Sequence, residues 1–137
     1  MKETKPLNIT NTSVETYVLQ IEKTEDFNPG QVCSISVDGV NFIDFYIFSG
    51  IQYGYIEFFI REVQGVPLTH ILRHSMEKKI LVSEPHGSFL KNAKNENRKL
   101  FLTTGISIAP FHSFVQSYGD EYVNTVHGIR KWDDAYG

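Results

Sequence analysis

A series of short β-type runs between residues 14 and 82, separated by turn residues, constrains the fold most strongly. Runs rich in β-branched and aromatic residues favour strands. The run of residues 55–63 alternates, with the apolar side chains of Ile56, Phe58 and Ile60 on one face. Several short strands separated by turns predict an antiparallel barrel or sandwich.

The same pattern gives the predicted elements and their order. Turns are expected at Asn28-Pro29-Gly30 and at Asp38-Gly39, which is a hairpin signal. One helix is expected over residues 67–76, since Pro67 suits a first helical position and apolar side chains then recur at helical spacing. Those apolar side chains are Leu68, Ile71, Leu72 and Met76. The predicted strands are residues 14–21, 31–37, 41–49, 55–63 and 79–83.

A second kind of pattern begins after the polar segment 91–97, which we interpret as a linker. Residues 99–103 form a short apolar run without alternation, typical of a strand covered on both faces. A helix over residues 108–118 and a strand over 122–127 are expected next, and another helix is expected to begin near Asp133. This order is the opening of a doubly wound α/β domain. We therefore predict a barrel domain over residues 1–92 and an incomplete α/β domain over 98–137.

Composition and charge exclude several classes of function. The net charge of −3 and the pI of about 5.9 give no support to nucleic-acid binding. Cys33 is the single cysteine, which excludes an intramolecular disulfide and a cysteine-based zinc cluster, and we expect it to pack in the core. No apolar run has the length of a membrane span and no signal peptide is evident, so we expect a cytoplasmic protein.

Seven short motifs follow one another along nearly the whole chain. They are residues 29–31 (PGQ), 45–46 (FY), 55–60 (YIEFFI), 65–69 (GVPLT), 81–89 (LVSEPHGSF), 104–111 (TGISIAPF) and 127–130 (HGIR). Their order and spacing resemble the ferredoxin/flavodoxin–NADP(H) reductase superfamily. The resemblance implies an antiparallel, flavin-binding-type Greek-key β-barrel followed by the first part of a Rossmann-like nucleotide-binding domain.

The resemblance also implies a function. It predicts an oxidoreductase in which FAD mediates electron transfer between NAD(P)H, the substrate, and a one-electron carrier such as ferredoxin or flavodoxin. The alternative is a non-catalytic relative, or a fragment, that keeps the barrel as a binding or interaction module with weakened flavin binding. Because the α/β sheet is incomplete, self-association through the second domain is also expected.

Candidate cofactor contacts follow from the motifs. Tyr46 is the candidate ring for stacking on the flavin. Thr69 begins a helix, where phosphate is favoured, and Gly105 lets a pyrophosphate approach the backbone. Each has an ordinary alternative: a core aromatic, a helix-start residue and a strand-ending glycine. The full set is Tyr46, Ser49, Val66, Leu68, Thr69, Gly105, Ser107, Pro110 and Arg130, where Arg130 is either a phosphate partner or a surface charge.

Departures from the family pattern fall on these ligand contacts. Asp44 stands where the family carries the arginine that holds the flavin diphosphate, and Ile47 follows Tyr46 directly, so a serine hydroxyl is lost. Val66 replaces a glycine of the phosphate turn, and Ser107 replaces the second glycine of the nucleotide turn. A carboxylate repels a diphosphate. We therefore expect a preserved fold with weakened cofactor binding.

Other candidate chemistry is weaker. His70 and His74 share a helix face, but no third ligand is evident from the sequence and no HExxH pattern occurs, so no metal site is predicted. His112 and Ser113 are interpreted as helix surface or core. Residues 91–99 carry four basic side chains and one acidic, and form either a solvated linker or an attraction for an acidic carrier.

Overall fold

A computed structural model of the chain describes residues 1–87, 99–104, 109–118 and 123–128. Its first seven strands, interrupted by one helix, are followed by a strand, a helix and a strand. The strands are β1 (Lys2–Thr4), β2 (Asn8–Asn11), β3 (Thr16–Glu22), β4 (Val32–Ser36), β5 (Ile43–Tyr46), β6 (Tyr55–Arg61), β7 (Ile80–Val82), β8 (Lys99–Thr104) and β9 (Val123–Gly128). The helices are α1 (Pro67–Arg73) and α2 (Ala109–Tyr118).

The first seven strands form the predicted antiparallel Greek-key barrel. One sheet has the order β1-β7-β4-β5 and the other β2-β3-β6, and an isolated bridge between Ile47 and Phe58 joins them. Strands β4, β5 and β6 are therefore neighbours in chain order, while β7 returns beside β4. That arrangement is a Greek key.

Strands β8 and β9 pair in parallel, with Lys99 opposite Val123 and Thr104 opposite Gly128. Helix α2 lies between them in the chain, as parallel pairing requires a crossover connection. The expected start of a Rossmann-like α/β layer is confirmed. The linker at 91–97, the turn around Gly105 and the helix near Asp133 lie outside the described residues, as do the side chains on which self-association would depend.

One face of β3 and one face of β6 contribute much of the barrel core, together with residues of β4, β5, β7 and α1. Tyr17, Leu19 and Ile21 are buried, and each lies opposite a buried partner in β6. Their partners are the predicted inward side chains Ile60, Phe58 and Ile56. Cys33 is also buried, and burial, followed by the nearby Glu25 and Asp44 carboxylates, raises the pKa of its thiol to about 12. The expected packing role of Cys33 is confirmed.

Some predicted boundaries were wrong. Helix α1 ends at Arg73 rather than at residue 76, because the His74 N–H turns back to the Ile71 carbonyl in a tighter final turn. Of the four apolar side chains at helical spacing, Leu68 and Leu72 are buried, whereas Ile71 and Met76 are 41% and 40% exposed. The short, polar strands β1 and β2 give no apolar alternation and were not predicted. Among the described residues, none of the helices has the length and apolar character needed to cross a membrane.

Candidate functional site

The outer face of β5 carries two side chains singled out from the sequence. Phe45 points into the core, so its neighbours Asp44 and Tyr46 face outward, and Tyr46 is 40% exposed. Register with β4 places Val32 opposite Tyr46 and Ser34 opposite Asp44. Tyr46 is therefore a surface aromatic and not a core residue.

Asp44 belongs to a polar chain on this face. The Ser34 hydroxyl donates to Asp44 Oδ1 over 2.5 Å, and the same Oγ lies 3.2 Å from His86 Nε2. His86 is held there because its backbone bonds in both directions with Val32. Sequence reasoning identified Asp44 but missed Ser34 and His86, which come from separate segments and meet only through strand pairing.

A cavity of about 550 Å³ lies between the β4–β5 turn and the start of α1. The turn contributes Asp38 and Phe42, and the helix start contributes Val66 and Leu68. Hydrogen bonds from the Asn41 and Val40 backbone N–H groups, and then from side chains of Asn41 and Ser36, hold the pKa of Asp38 well below its usual range. A fixed negative charge therefore lines this cavity.

Thr69 supports the helix start from within. Its hydroxyl donates to the Val66 carbonyl over 2.8 Å and accepts the Val63 N–H over 3.0 Å. The Thr69 carbonyl accepts a 2.5 Å hydrogen bond from the buried Tyr17 hydroxyl, and burial raises the pKa of Tyr17 far above its ordinary value. The Thr69 side chain is buried, so its hydroxyl proton is engaged inside the protein.

The remaining predicted site residues are spread over other parts of the chain. Ser49 is buried; its hydroxyl accepts the Glu57 N–H over 2.9 Å, and its carbonyl accepts the Ser113 hydroxyl over 2.6 Å. Pro110 is buried near the start of α2. The structure thus brings Val66 and Leu68 together at the cavity and leaves Ser49 and Pro110 elsewhere. Gly105, Ser107 and Arg130 lie outside the described residues.

Helix α2 is attached at the segment after β5. The His112 ring stacks on Phe48 with centroids 3.7 Å apart, and its Nδ1 lies 2.6 Å from the Phe48 carbonyl oxygen. Burial lowers the pKa of His112, and the bond to that carbonyl partly offsets the shift. The Ser117 hydroxyl accepts the Ile51 N–H over 2.9 Å. His112 and Ser113 therefore attach α2 to the barrel.

Neither a protein-family model nor a curated protein sequence matches the chain, whereas solved structures do. A ferredoxin NADP+ reductase from Neisseria gonorrhoeae with bound FAD and NADP aligns with a TM-score of 0.84 at 22% identity, covering 97% of this chain and 59% of that one. The fold is that of a ferredoxin–NADP+ reductase.

Other reductases align similarly. The ferredoxin reductase in carbazole 1,9a-dioxygenase gives a TM-score of 0.82 at 19% identity, covering 98% of this chain and 44% of that one. A cytochrome P450 reductase from Amycolatopsis gives 0.82 at 18% identity, covering 98% and 45%. The chain therefore spans less than two thirds of the length of these reductases. The structural similarity covers the barrel and the first part of the α/β layer.

Proposed function

We propose that this chain binds a flavin nucleotide on the outer face of its barrel, as the FAD-binding part of an NAD(P)H-dependent reductase. The observation that carries the proposal is Tyr46, an aromatic ring exposed on β5 of a reductase fold. Flat ligands stack on exposed rings, and a flavin needs such a surface. The FAD and NADP bound by the Neisseria reductase support the choice of ligand.

The residues fit the two ends of FAD unequally. The cavity beside Val66 and Leu68 has the size of a small-molecule site. Ile43 lines that cavity and Tyr46 follows it by three residues along β5, about 10 Å at the usual strand rise. An extended nucleotide can span that length. Asp38 and Asp44 both oppose its diphosphate, so we propose weak binding in which the ring stacks well and the phosphates are poorly held.

The finer roles rest on this proposal. Bound flavin supplies the conversion of a two-electron hydride into one-electron steps. We propose NAD(P)H as the donor and a ferredoxin or flavodoxin as the acceptor. The α/β layer, proposed as a domain over 98–137, would contact the nicotinamide nucleotide through Gly105, Ser107, Pro110 and Arg130, beside a barrel domain over 1–92.

One observation favours a second candidate, a non-catalytic barrel used as a binding module. Asp44 is more than an isolated substitution, because Ser34 and His86 are arranged around it. The outer face of β5 thus has a polar network of its own in place of the arginine of the reductase pattern. On this view the protein is colourless when purified and binds no flavin.

Titrating FAD and following the quenching of its fluorescence separates the two candidates. The Tyr46→Ala variant should bind FAD about tenfold more weakly than the natural protein, since the lost stacking and burial amount to roughly 1–2 kcal/mol. Tyr46→Phe keeps the ring and is the matched control, with affinity close to the natural value. A natural protein that neither quenches FAD nor carries a visible flavin spectrum would favour the binding module.

A further inference from the structure

The exposed side of α1 carries a cluster that the flavin proposal does not use. His70 and His74 are four residues apart, with ring centroids 4.8 Å apart. Glu62 directly follows β6, and its Oε1 lies 3.1 Å from His70 Nδ1. One ligand atom from each of the three residues lies within 4.8 Å of the others. We propose that Glu62, His70 and His74 bind a zinc ion.

The donor set suits zinc. Two imidazole nitrogens and one carboxylate oxygen are a familiar combination, and they leave a fourth position for water. Metal–ligand bonds of about 2.0–2.2 Å place tetrahedral donor atoms about 3.3–3.5 Å apart. The Glu62–His70 pair is already close to that separation, and the two histidines are exposed, so small rotations of their side chains complete the site. Glu62, the third ligand, could not be identified from the sequence because it precedes the helix that carries the two histidines.

The carboxylate is held in position before any metal arrives. Glu62 Oε2 lies 3.4 Å from a guanidinium nitrogen of Arg73, which leaves Oε1 directed at His70. Arg73 is itself fixed by the Asn11 side chain and by the Ser13 and Val14 carbonyls, at 2.7–2.9 Å. Such outer partners orient metal ligands. The Arg73 charge also opposes a cation, so we expect micromolar rather than nanomolar affinity.

A zinc ion at this position would join the end of β6 to the exposed face of α1. Between Glu62 and His70 lies the turn with Gly65, Val66 and Pro67, which lines the cavity on one side. Cross-linking the two ends of this segment restricts its unfolded conformations and stabilises the turn. The site thus links metal binding to the shape of one cavity wall, whether or not that cavity holds a flavin.

Isothermal titration of the chelator-treated full chain with zinc chloride tests the proposal. We expect one equivalent to bind, and cobalt(II) to give visible bands characteristic of low coordination. The variants His70→Gln, His74→Gln and Glu62→Gln should each weaken binding at least about tenfold, the range seen when a metal's supporting groups are removed. The double variant His70→Gln/His74→Gln should bind no zinc, and zinc should raise Tm in the natural protein but not in this variant.

The matched control is His86→Gln, which removes an exposed imidazole outside the cluster and should leave zinc affinity unchanged. Circular dichroism spectra should be alike for all variants, since both cluster histidines are exposed. Unchanged one-equivalent binding in the double variant would overturn the proposal, as would loss of binding in His86→Gln. A natural protein with no saturable zinc binding would mean that Glu62 and His70 form a hydrogen-bonded pair only.

Discussion

Helices α1 and α2 are attached to the barrel by similar contacts, but the regions around the two helices differ. We call residues 36–42 and 62–73 the α1 region, and residues 48–53 and 109–118 the α2 region. In both, side chains bond to backbone groups: Arg73 and Thr69 in the first, His112 and Ser113 in the second. In the α2 region the His112 ring stacks on Phe48 and fills the contact, whereas the α1 region contains a cavity of about 550 Å³.

This difference separates residues that hold the fold from residues able to meet a ligand. In the α1 region the bonds that fix the turn engage the Thr69 hydroxyl, so the cavity is left with largely apolar walls and the polar side chains of Asp38 and Asn41. In the α2 region the helix bonds to backbone groups of the segment after β5, among them the Ile51 N–H and the Ser49 carbonyl. Ligand chemistry is therefore expected at the α1 region and along β5.

The largest expected effect tests the closed α2 region. Phe48→Ala should lower the free energy of unfolding by about 3–5 kcal/mol, because it empties a buried site beside Phe59 and His112. Phe42→Ala, at a residue 39% exposed in the α1 region, is the control and should cost under about 1 kcal/mol. Urea unfolding gives both values. Equal losses would show that the two regions do not differ as described.

Arg73 tests how the α1 region is held. Arg73→Met should lower stability by about 1.5–3 kcal/mol, since it removes charged hydrogen bonds to the Asn11 side chain and to the Ser13 and Val14 carbonyls. Arg73→Lys keeps the charge but not the fork of donors, so it should recover only part of the loss. Full recovery in urea unfolding of Arg73→Lys would mean that charge alone anchors the helix.

Substitutions of Asp44 test whether the outer face of β5 can be made a better flavin site. Asp44→Arg removes a repulsion and adds a charge-assisted bond of about 1.5–3 kcal/mol, so FAD affinity should rise about tenfold to a hundredfold. Asp44→Asn keeps an acceptor for Ser34 without the charge, and should give a smaller gain. Identical FAD titration curves for the natural protein and Asp44→Arg would show that other changes have already removed the site.

The smallest effect is a pH dependence at the α2 contact. Burial lowers the pKa of His112, so the folded protein binds fewer protons than the unfolded chain as pH falls through the ordinary histidine value of about 6.5. Stability should therefore fall on acidification through that value. Glu57, whose pKa is raised by burial, contributes the opposite slope at lower pH. The comparison with His112→Gln isolates the histidine, because only its slope should disappear from urea midpoints measured across this range.

The barrel was predictable because inward and outward positions alternate locally in each strand, as Ile56, Phe58 and Ile60 illustrate. Register was not. A two-residue turn at Asp38-Gly39 pairs Ser34 with Ile43, whereas the structure pairs Ser34 with Asp44. The Ser36 and Asp38 side chains cap a longer loop by accepting backbone N–H groups, and a one-residue shift changes which side chains are neighbours.

The candidate sites were predictable only where a single segment carries them. Tyr46 and the start of α1 were identified from local motifs. The contacts of Ser34 with His86 and of Glu62 with His70 join residues from segments that meet only in the folded barrel. A local pattern holds no information on such distances, so the polar network and the third zinc ligand required the structure.

The buried thiol of Cys33 can report how often the barrel opens. It is the only thiol in the chain, it is buried, and its raised pKa leaves almost no thiolate near neutral pH. A thiol reagent can label it only during the intervals when β4 and its neighbours separate, so the labelling rate measures how often the barrel opens. The transient opening of the natural protein can thus be measured without introducing any probe group.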